Sequence, residues 1–342
     1  MELVSVIITT FGVAKNLKRA IDSVINQTYS HFEIIIVDDN NPESFARKYT
    51  EKIISQYNDK RLNYIKHKKN MNGAVARNTG IKYSKGKYIS FLDNDDFYIL
   101  DRLDRCVSIL RNNNQYGIIY TNTIYVINKK IIGINRVKDT NNPSKSILLN
   151  EKFLGTGSNI FIKKSVITQL NGFDEQFIRH QDLEFILRAL QITKIYPLSE
   201  NLVIKDISNK YNIPKYKKYC KAKAMYFKKF HYLIKKLSDE ERYKFFDYQY
   251  SILFWTALDE NNKNDIDDAI INLKKVRNLS KVEIYSIKFN NIRTYINSIK
   301  IKIKHNFIFY NFILCAKNLV TGRDRKLKRN LDSQILMEIK KN

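Results

Sequence analysis

Cysteine is scarce in this chain of 342 residues, and the three present, Cys106, Cys220 and Cys315, are far apart with no C-x-x-C pair. That excludes a disulfide framework and a thiolate zinc site, and it suits a reducing compartment. Long apolar runs are missing too. The opening "MELVSVIITTF" has Glu2 where a signal peptide would be basic, and its apolar stretch is too short for a leader or a spanning helix. The most apolar later segment, "NFIFYNFILCAKNLV" (306–320), is broken by Asn311 and Lys317 and falls short of about 20 residues. No internal repeat stands out. The expected location is cytoplasmic, with attachment to one face of a membrane as the alternative. Acidic residues are outnumbered, 34 Asp and Glu against 60 Lys and Arg, for a formal charge of +26.

What is present is a folding composition. Hydrophobic residues make up 44%, with 22 Tyr and 19 Phe, which is incompatible with a disordered chain. The basic excess is uneven: residues 1–200 hold 29 Lys and Arg against 20 Asp and Glu, whereas 201–342 hold 31 against 14. An anionic partner for the second part would be nucleic acid, a membrane surface or a phosphorylated substrate, and a solvated Lys-rich surface is the plain alternative.

The first hundred residues alternate two periods. "LVSVIITTF" (3–11), "FEIIIVDDN" (32–40), "LNYIKH" (62–67) and "KYISFLD" (87–93) read as strands, the longer ones with the continuous apolar character of strands covered on both faces. Between them Leu17, Ile21, Val24 and Ile25 recur at helical spacing, and a polar stretch to about Tyr57 and "NGAVARNTGIKYS" (72–84) read as further helices. This rhythm predicts a mostly parallel α/β sheet flanked by helices, in which ligands bind at the carboxyl ends of the strands. Asp38–Asp39 and Asp93, Asp95 and Asp96 all fall at such ends. Five carboxylates in one crevice would need cations to offset their repulsion and desolvation.

Further on, a helix is expected from Leu100 to about Asn112, then two strands joined by a turn at Asn128–Lys130, and a glycine-bearing loop at 153–162. Leu183, Ile186, Leu187 and Leu190 mark a helix with Asp182 in its first turn. Beyond Pro214 helical signals dominate. Ser238 with Glu241 fits a capping box, and 265–278 has helical periodicity with acidic residues first and basic residues last. A boundary is expected near 205–215, giving a catalytic domain over 1–210 and a basic, mainly helical domain over 211–342. Ile296, Ile299, Ile303, Phe307, Tyr310 and Leu314 form one apolar stripe if that segment is helical, although "IKIKIK" (299–304) also alternates as a strand would, and the basic "GRDRKLKRN" (322–330) follows. Docked on an anionic bilayer, that stretch would hold the protein at a membrane; packed on a neighbouring domain, it would be ordinary core.

Five blocks in order, "VSVIITTF" (4–11), "VDDNN" (37–41), "NGAVARNTGI" (72–81), "FLDNDD" (91–96) and "GFDEQF…HQDLEF" (172–185), resemble the GT-A glycosyltransferases of family 2, over roughly residues 3–205. The resemblance implies a GT-A fold, Rossmann-like, with a C-terminal helical domain. It also implies an inverting, metal-dependent transfer of sugar from a nucleotide-sugar, a UDP-sugar by preference, to a hydroxyl of a glycan or lipid-linked glycan in bacterial surface polysaccharide synthesis. By position, Thr9 to Phe11 would line the base pocket, Asp39 would accept from the uracil N–H, and Arg77 would lie near the diphosphate. The family's usual Pro, Thr or Ser, Tyr, Asn is replaced by Thr9, Thr10, Phe11 and Gly12, which removes a tyrosine hydroxyl.

"DNDD" would supply the D-x-D motif, with Asp95 the main ligand for Mn²⁺ or Mg²⁺ and Asp93 on the ribose or the metal; either ion favours one or two carboxylates plus phosphate oxygens. Asp96 is also placed to cap the helix that follows. Asp182 resembles the general base that takes the acceptor proton, although the usual Glu–Asp pair here reads Gln181–Asp182. Helix capping is the plain alternative for Asp182. His180 is a candidate acceptor contact or simply an exposed histidine at a helix start. Two other readings compete. A nucleic-acid-binding protein explains the charge and leaves the carboxylates unexplained, so no nucleic acid is expected as a partner. A sugar-nucleotide pyrophosphorylase would carry a Gly-rich, Arg- or Lys-bearing signature that "TTFGVAKN" lacks.

Overall fold

The computed structural model describes residues 1–151, 156–208 and 215–287, and the chain divides near residue 210 into two compact units. The apolar stripe at 296–314 and the basic cluster at 322–330 lie outside the described residues.

In the first unit β1 (Val4–Thr10), α1 (Leu17–Ile25), β2 (Phe32–Asp38), α2 (Phe45–Ile54), β3 (Leu62–Lys66), α3 (Gly73–Tyr83) and β4 (Tyr88–Asp93) follow one another as βαβαβαβ. The strands lie in the order β3-β2-β1-β4, all parallel. The continuous apolar runs correspond to burial on both faces, and β2 is buried at every position. The amphipathic α1 buries Leu17, Ala20, Ile21 and Val24, one face at spacings of three and four. α3 comes so close to β1 that a Cβ on Gly80 would stand 2.3 Å from Ile7 Cγ2. Glycine at 80 is what lets helix and strand touch.

Beyond β4 the sheet departs from the mostly parallel expectation and becomes mixed. β5 (Phe97–Tyr98), α4 (Arg102–Asn112), β6 (Tyr116–Ile127), β7 (Lys130–Asn135), α5 (Pro143–Leu148), β8 (Phe161–Lys163), α6 (Lys164–Leu170), α7 (Gln181–Ala189) and β9 (Lys194–Asp206) complete the unit. The sheet continues β4-β8-β6-β9-β5, and β7 pairs with the later part of β6, from Thr123 to Ile127. β8 runs antiparallel to both β4 and β6, β5 antiparallel to β9, and β6 with β9 is parallel. The β6–β9 register shifts in three places, one flanking the region where Pro197 faces Tyr120, as expected of a strand that must accommodate a proline.

Three aromatic rings tie the motif-bearing segments together. Phe173 stacks on Phe185 of α7 with ring centroids 4.2 Å apart, and Phe91 of β4 meets Phe173 edge-on at 5.2 Å. The strand that ends in "DNDD" and the helix that carries Asp182 therefore share one buried cluster.

The second unit is helical where described: α8 (Tyr216–Lys229), α9 (His231–Ile234), α10 (Asp239–Glu260) and α11 (Lys263–Lys274). The capping box at the start of α10 is formed, Glu241 N–H donating to Ser238 Oγ at 3.2 Å and Ser238 N–H to Glu241 Oε2 at 3.0 Å. Phe254, Ala257, Ala269 and Leu273 are buried in a core between α10 and α11. Among the described residues no helix is long and apolar enough to cross a membrane.

Candidate active site

β4 delivers Asp93 to its carboxyl end, and the chain then turns, Asp96 N–H donating to Asp93 O at 3.1 Å. Asp93, Asp95 and Asp96 each offer a carboxylate oxygen within 4.8 Å of the others. The three are held very differently. Asp93 Oδ1 pairs with Arg77 Nη2 at 2.8 Å, and its backbone N–H donates to Ser158 Oγ at 3.0 Å. Asp96 is 1% exposed; its Oδ2 accepts from Ser158 Oγ at 2.6 Å and Thr156 Oγ1 at 3.0 Å, while its Oδ1 is buried without a protein partner. Burial and the neighbouring Asp96 and Asp93 carboxylates push the Asp95 carboxyl up to about 8. Burial likewise pushes Asp96 up to about 6, against the opposing pull of Lys205. A cluster that resists ionisation and keeps a buried oxygen unsatisfied has the donor set that a hard divalent cation completes. Asp96 does not cap α4 as expected. The cap position there is Asp101, which makes no side-chain capping bond, because Asp96 is turned toward residues 156 and 158.

The second pair of carboxylates is a correction to the expected five-fold mouth. Asp38 is fully buried, in an ion pair with Arg47 Nε at 3.0 Å, and accepts from Tyr64 Oη at 2.6 Å and from the backbone and side chain of Asn40. Asp39 accepts from Met71 N–H (2.7 Å), Asn72 N–H (3.0 Å) and Asn70 Nδ2 (2.9 Å), and pairs with His67 Nδ1 (2.8 Å). Those four partners fill the positions a carboxylate offers. The role that the family resemblance implies for Asp39, accepting a uracil N–H, would require one of them to yield. The charge at the end of β2 is thus met by the protein's own donors.

Thr9 lies between Val37 and Asp93 in the sheet register, so the end of β1 borders the cluster. Phe11 and Val13 follow it, 56% and 44% exposed. Gly12 has φ of +73°, and its N–H donates to Asn40 Oδ1 at 2.8 Å. The family's Asn and this Gly are the two residues that tolerate that left-handed geometry best, so this departure from the motif preserves backbone shape.

α7 brings in the remaining candidates. Asp182 is half-buried in its first turn, with Oδ1 accepting the Leu183 N–H at 2.9 Å. Gln181 Oε1 accepts from Arg77 Nη1 at 2.8 Å, so one guanidinium spans from Asp93 to the residue beside Asp182 while also lying over the Phe173 ring. A Cβ placed on Gly157 would stand 3.6 Å from Asp182 Cβ and 3.7 Å from Arg77 Nη2. Arg77, Asp93, Gln181 and Asp182 are therefore one constellation. His180 is half-buried, in contrast to the exposed position expected, and occupies the left-handed cap position of α7 with φ of +58°.

Several residues at the cluster carried no motif. Ser158 and Thr156 come from the glycine-bearing loop, Lys205 and Asp206 from the end of β9, and Arg19 from α1, whose Nη2 donates to Asp95 O at 2.7 Å and pairs with Asp206 at 2.9 Å. The signal that could have found Lys205 is the one used for the aspartates, a charged residue at the end of an apolar strand.

Residues 5–170 match the family described as glycosyl transferase family 2. An uncharacterized glycosyltransferase of Methanocaldococcus jannaschii is 30% identical over 217 residues, which are 62% of this chain and 71% of that one. An Escherichia coli enzyme named UDP-Glc:alpha-D-GlcNAc-diphosphoundecaprenol beta-1,3-glucosyltransferase is 31% identical over 131 residues, 38% of this chain and 49% of that one. Among solved structures, S. aureus TarS 1-349 in complex with UDP-GlcNAc superposes with a TM-score of 0.54 at 15% identity, covering 81% of this chain and 90% of that chain. That likeness is one of fold.

Proposed function

Because this chain belongs to glycosyl transferase family 2 and is a glycosyltransferase with the GT-A fold, we propose that it moves a sugar from a UDP-sugar to a hydroxyl of a glycan or lipid-linked glycan, with inversion at the sugar carbon, in bacterial surface polysaccharide synthesis. The observation that carries this reading is the carboxylate cluster at the end of β4, with a buried oxygen left unsatisfied. Asp95 would hold Mn²⁺ or Mg²⁺, with Asp93 and Asp96 beside it, and the ion when bound would neutralise charge on the departing diphosphate. Thr9, Phe11 and Asp39 border the place for the base, with Asp39 also fixing the 70–72 turn. Arg77 holds Asp93 toward the donor and, through Gln181, fixes the first turn of α7. Asp182 then takes the proton of the attacking hydroxyl, and His180 stands beside it on the acceptor side. The printed activity of the E. coli relative supports a UDP donor and a diphosphoundecaprenol-linked acceptor.

The domain division proposed is a catalytic domain over 1–210 and a basic helical domain over 211–342. The protein would work in the cytoplasm, peripheral to the inner face of the cell membrane, where the basic excess of 201–342 meets anionic lipid. Sedimentation with anionic liposomes that is lost at high salt supports this last point, and indifference to salt refutes it.

The direct experiment is a panel of nucleotide-sugars screened for metal-dependent protection against thermal unfolding. A UDP-sugar should raise Tm with Mn²⁺ and not in EDTA. Equal protection in EDTA would remove the metal from the proposal, and protection by GDP- or CDP-sugars alone would remove the uridine.

A further inference from the structure

We propose that Lys205 is a positioning residue for this reaction: its ammonium, acting through Thr156, orients Asp96 and sets the net charge of the carboxylate cluster before metal or donor arrives. The part concerning metal rests on the metal reading above.

β9 pairs with the short β5 so that Ile204 faces Phe97, the residue directly after the motif. The register puts Lys205 next to Asp96 even though the two are far apart in sequence. Lys205 Nζ lies 3.1 Å from Thr156 Oγ1, which lies 3.0 Å from Asp96 Oδ2. An ammonium can only donate, and an ionised carboxylate can only accept, so the threonine hydroxyl must accept from Lys205 and give its single proton to Asp96. With Ser158 Oγ at 2.6 Å on the same oxygen, Oδ2 is tied on two sides and Oδ1 is the atom left over.

The other two cations at the cluster are already paired. Arg77 pairs with Asp93. Arg19 pairs with Asp206 while donating to the Asp95 carbonyl. Within the three-aspartate cluster, once both carboxyls have lost their protons, that leaves Asp95 and Asp96 against the one ammonium of Lys205, a formal excess of one negative charge. A divalent cation would turn this into one positive charge, which attracts a diphosphate. Without Lys205 the same cluster would bind the cation more strongly and then be neutral toward the diphosphate. A side chain that merely fills space would not move these two affinities in opposite directions.

The test uses Lys205→Met, which keeps the length of the stem, together with Lys205→Arg and the double variant Lys205→Met/Asp96→Asn. Manganese binding is followed by the EPR signal of free Mn²⁺ without nucleotide, and UDP binding by calorimetry at saturating Mn²⁺. Lys205→Met should bind Mn²⁺ about tenfold tighter and UDP about tenfold weaker, Lys205→Arg should stay near the wild type, and the double variant should return Mn²⁺ affinity toward it. In EDTA at pH 8, Lys205→Met should melt below the wild type, and Asp96→Asn should recover the loss. Unchanged or weaker Mn²⁺ binding by Lys205→Met, in a wild type that binds the ion, overturns the proposal. If the wild type binds no Mn²⁺, the metal reading fails and the EDTA measurement decides alone: no loss of Tm, or a loss that Asp96→Asn does not recover, overturns the role of Lys205.

Discussion

The ends of β2 and β4 look alike in sequence, each an apolar strand running into aspartates, and the fold treats them in opposite ways. At the end of β2, Asp38 and Asp39 meet Arg47, Tyr64, His67 and a row of amides. At the end of β4, Asp93 has Arg77 and one oxygen of Asp96 has two hydroxyls, but the other oxygen of Asp96 is buried without a partner, and burial with like charge raises the Asp95 carboxyl. A carboxylate with every lone pair filled belongs to the structure. A group of them left short of donors is where a ligand can be worth several kcal/mol. The number of donors each aspartate receives, more than the number of aspartates, separates framework from site.

Exchanging the two ends by mutation should break this contrast most visibly. Asp95→Ala should abolish measurable transfer and remove the Mn²⁺-dependent rise in Tm with UDP, while the metal-free protein melts no lower than the wild type, because a repelled, partly desolvated carboxylate has been removed. Asp38→Ala should do the reverse. Taking away the partner of a buried guanidinium costs about 3–5 kcal/mol, a fall in Tm of about 10 °C, and the Mn²⁺ response should survive at temperatures where the variant is folded. Calorimetric unfolding with and without Mn²⁺ and UDP measures both. If Asp38→Ala loses the ligand response and Asp95→Ala loses stability, the assignment of the two ends is inverted.

Asp182, the proposed general base, sharpens the contrast, since it too has an incomplete set of partners, its one described bond coming from the adjacent Leu183 N–H. Asp182→Asn preserves shape and removes proton-accepting power. Turnover should fall by a factor of roughly 10² or more with UDP affinity near normal. A variant that keeps most of its kcat would mean another group takes the proton.

How much of this was legible beforehand follows the same division. The parallel half of the sheet could be read because β1, β2 and β4 are runs of Val, Ile and Leu whose two-sided burial leaves a pattern in the sequence. In the mixed half β6 and β7 were legible as two strands joined at Asn128–Lys130, but β5 and β8, of two and three residues, are too short to carry a period, and β9 is interrupted by Pro197, so the antiparallel pairing was hidden. The positions of Asp93, Asp95 and Asp182 at element ends were visible for the same reason as the elements. Their partners were not. Ser158 reaches Asp96 across 62 residues of sequence and Arg19 reaches Asp95 across 76, and no periodicity encodes such distances. The Asp38–Asp39 pair was misjudged because repulsion between like charges can be read from a sequence, whereas Arg47 turning back to cancel it cannot.

The finest test of the contrast is pH. In metal-free protein the Asp95 carboxyl is raised to about 8 by burial and by its Asp96 and Asp93 neighbours, and Asp96 to about 6, against about 3.9 for an aspartate in an unfolded chain. A folded-state value above the unfolded one means that the folded protein holds the proton more tightly. The stabilisation from that proton is complete below about pH 4 and is lost as pH climbs through 6 toward 8. In EDTA the Tm should therefore decline by a few degrees between pH 5 and pH 8. Asp95→Asn, which cannot ionise, should flatten most of that decline. Mn²⁺ should act in the opposite sense, adding little at pH 5, where the cluster holds its protons, and most at pH 8, where the ion replaces them. A set of melting curves over this range, with EDTA and with Mn²⁺, distinguishes the cases. A metal-free Tm that is flat or rises from pH 5 to pH 8 in the wild type, or a decline that persists in Asp95→Asn, would show that the cluster at the end of β4 is as well compensated as the one at the end of β2.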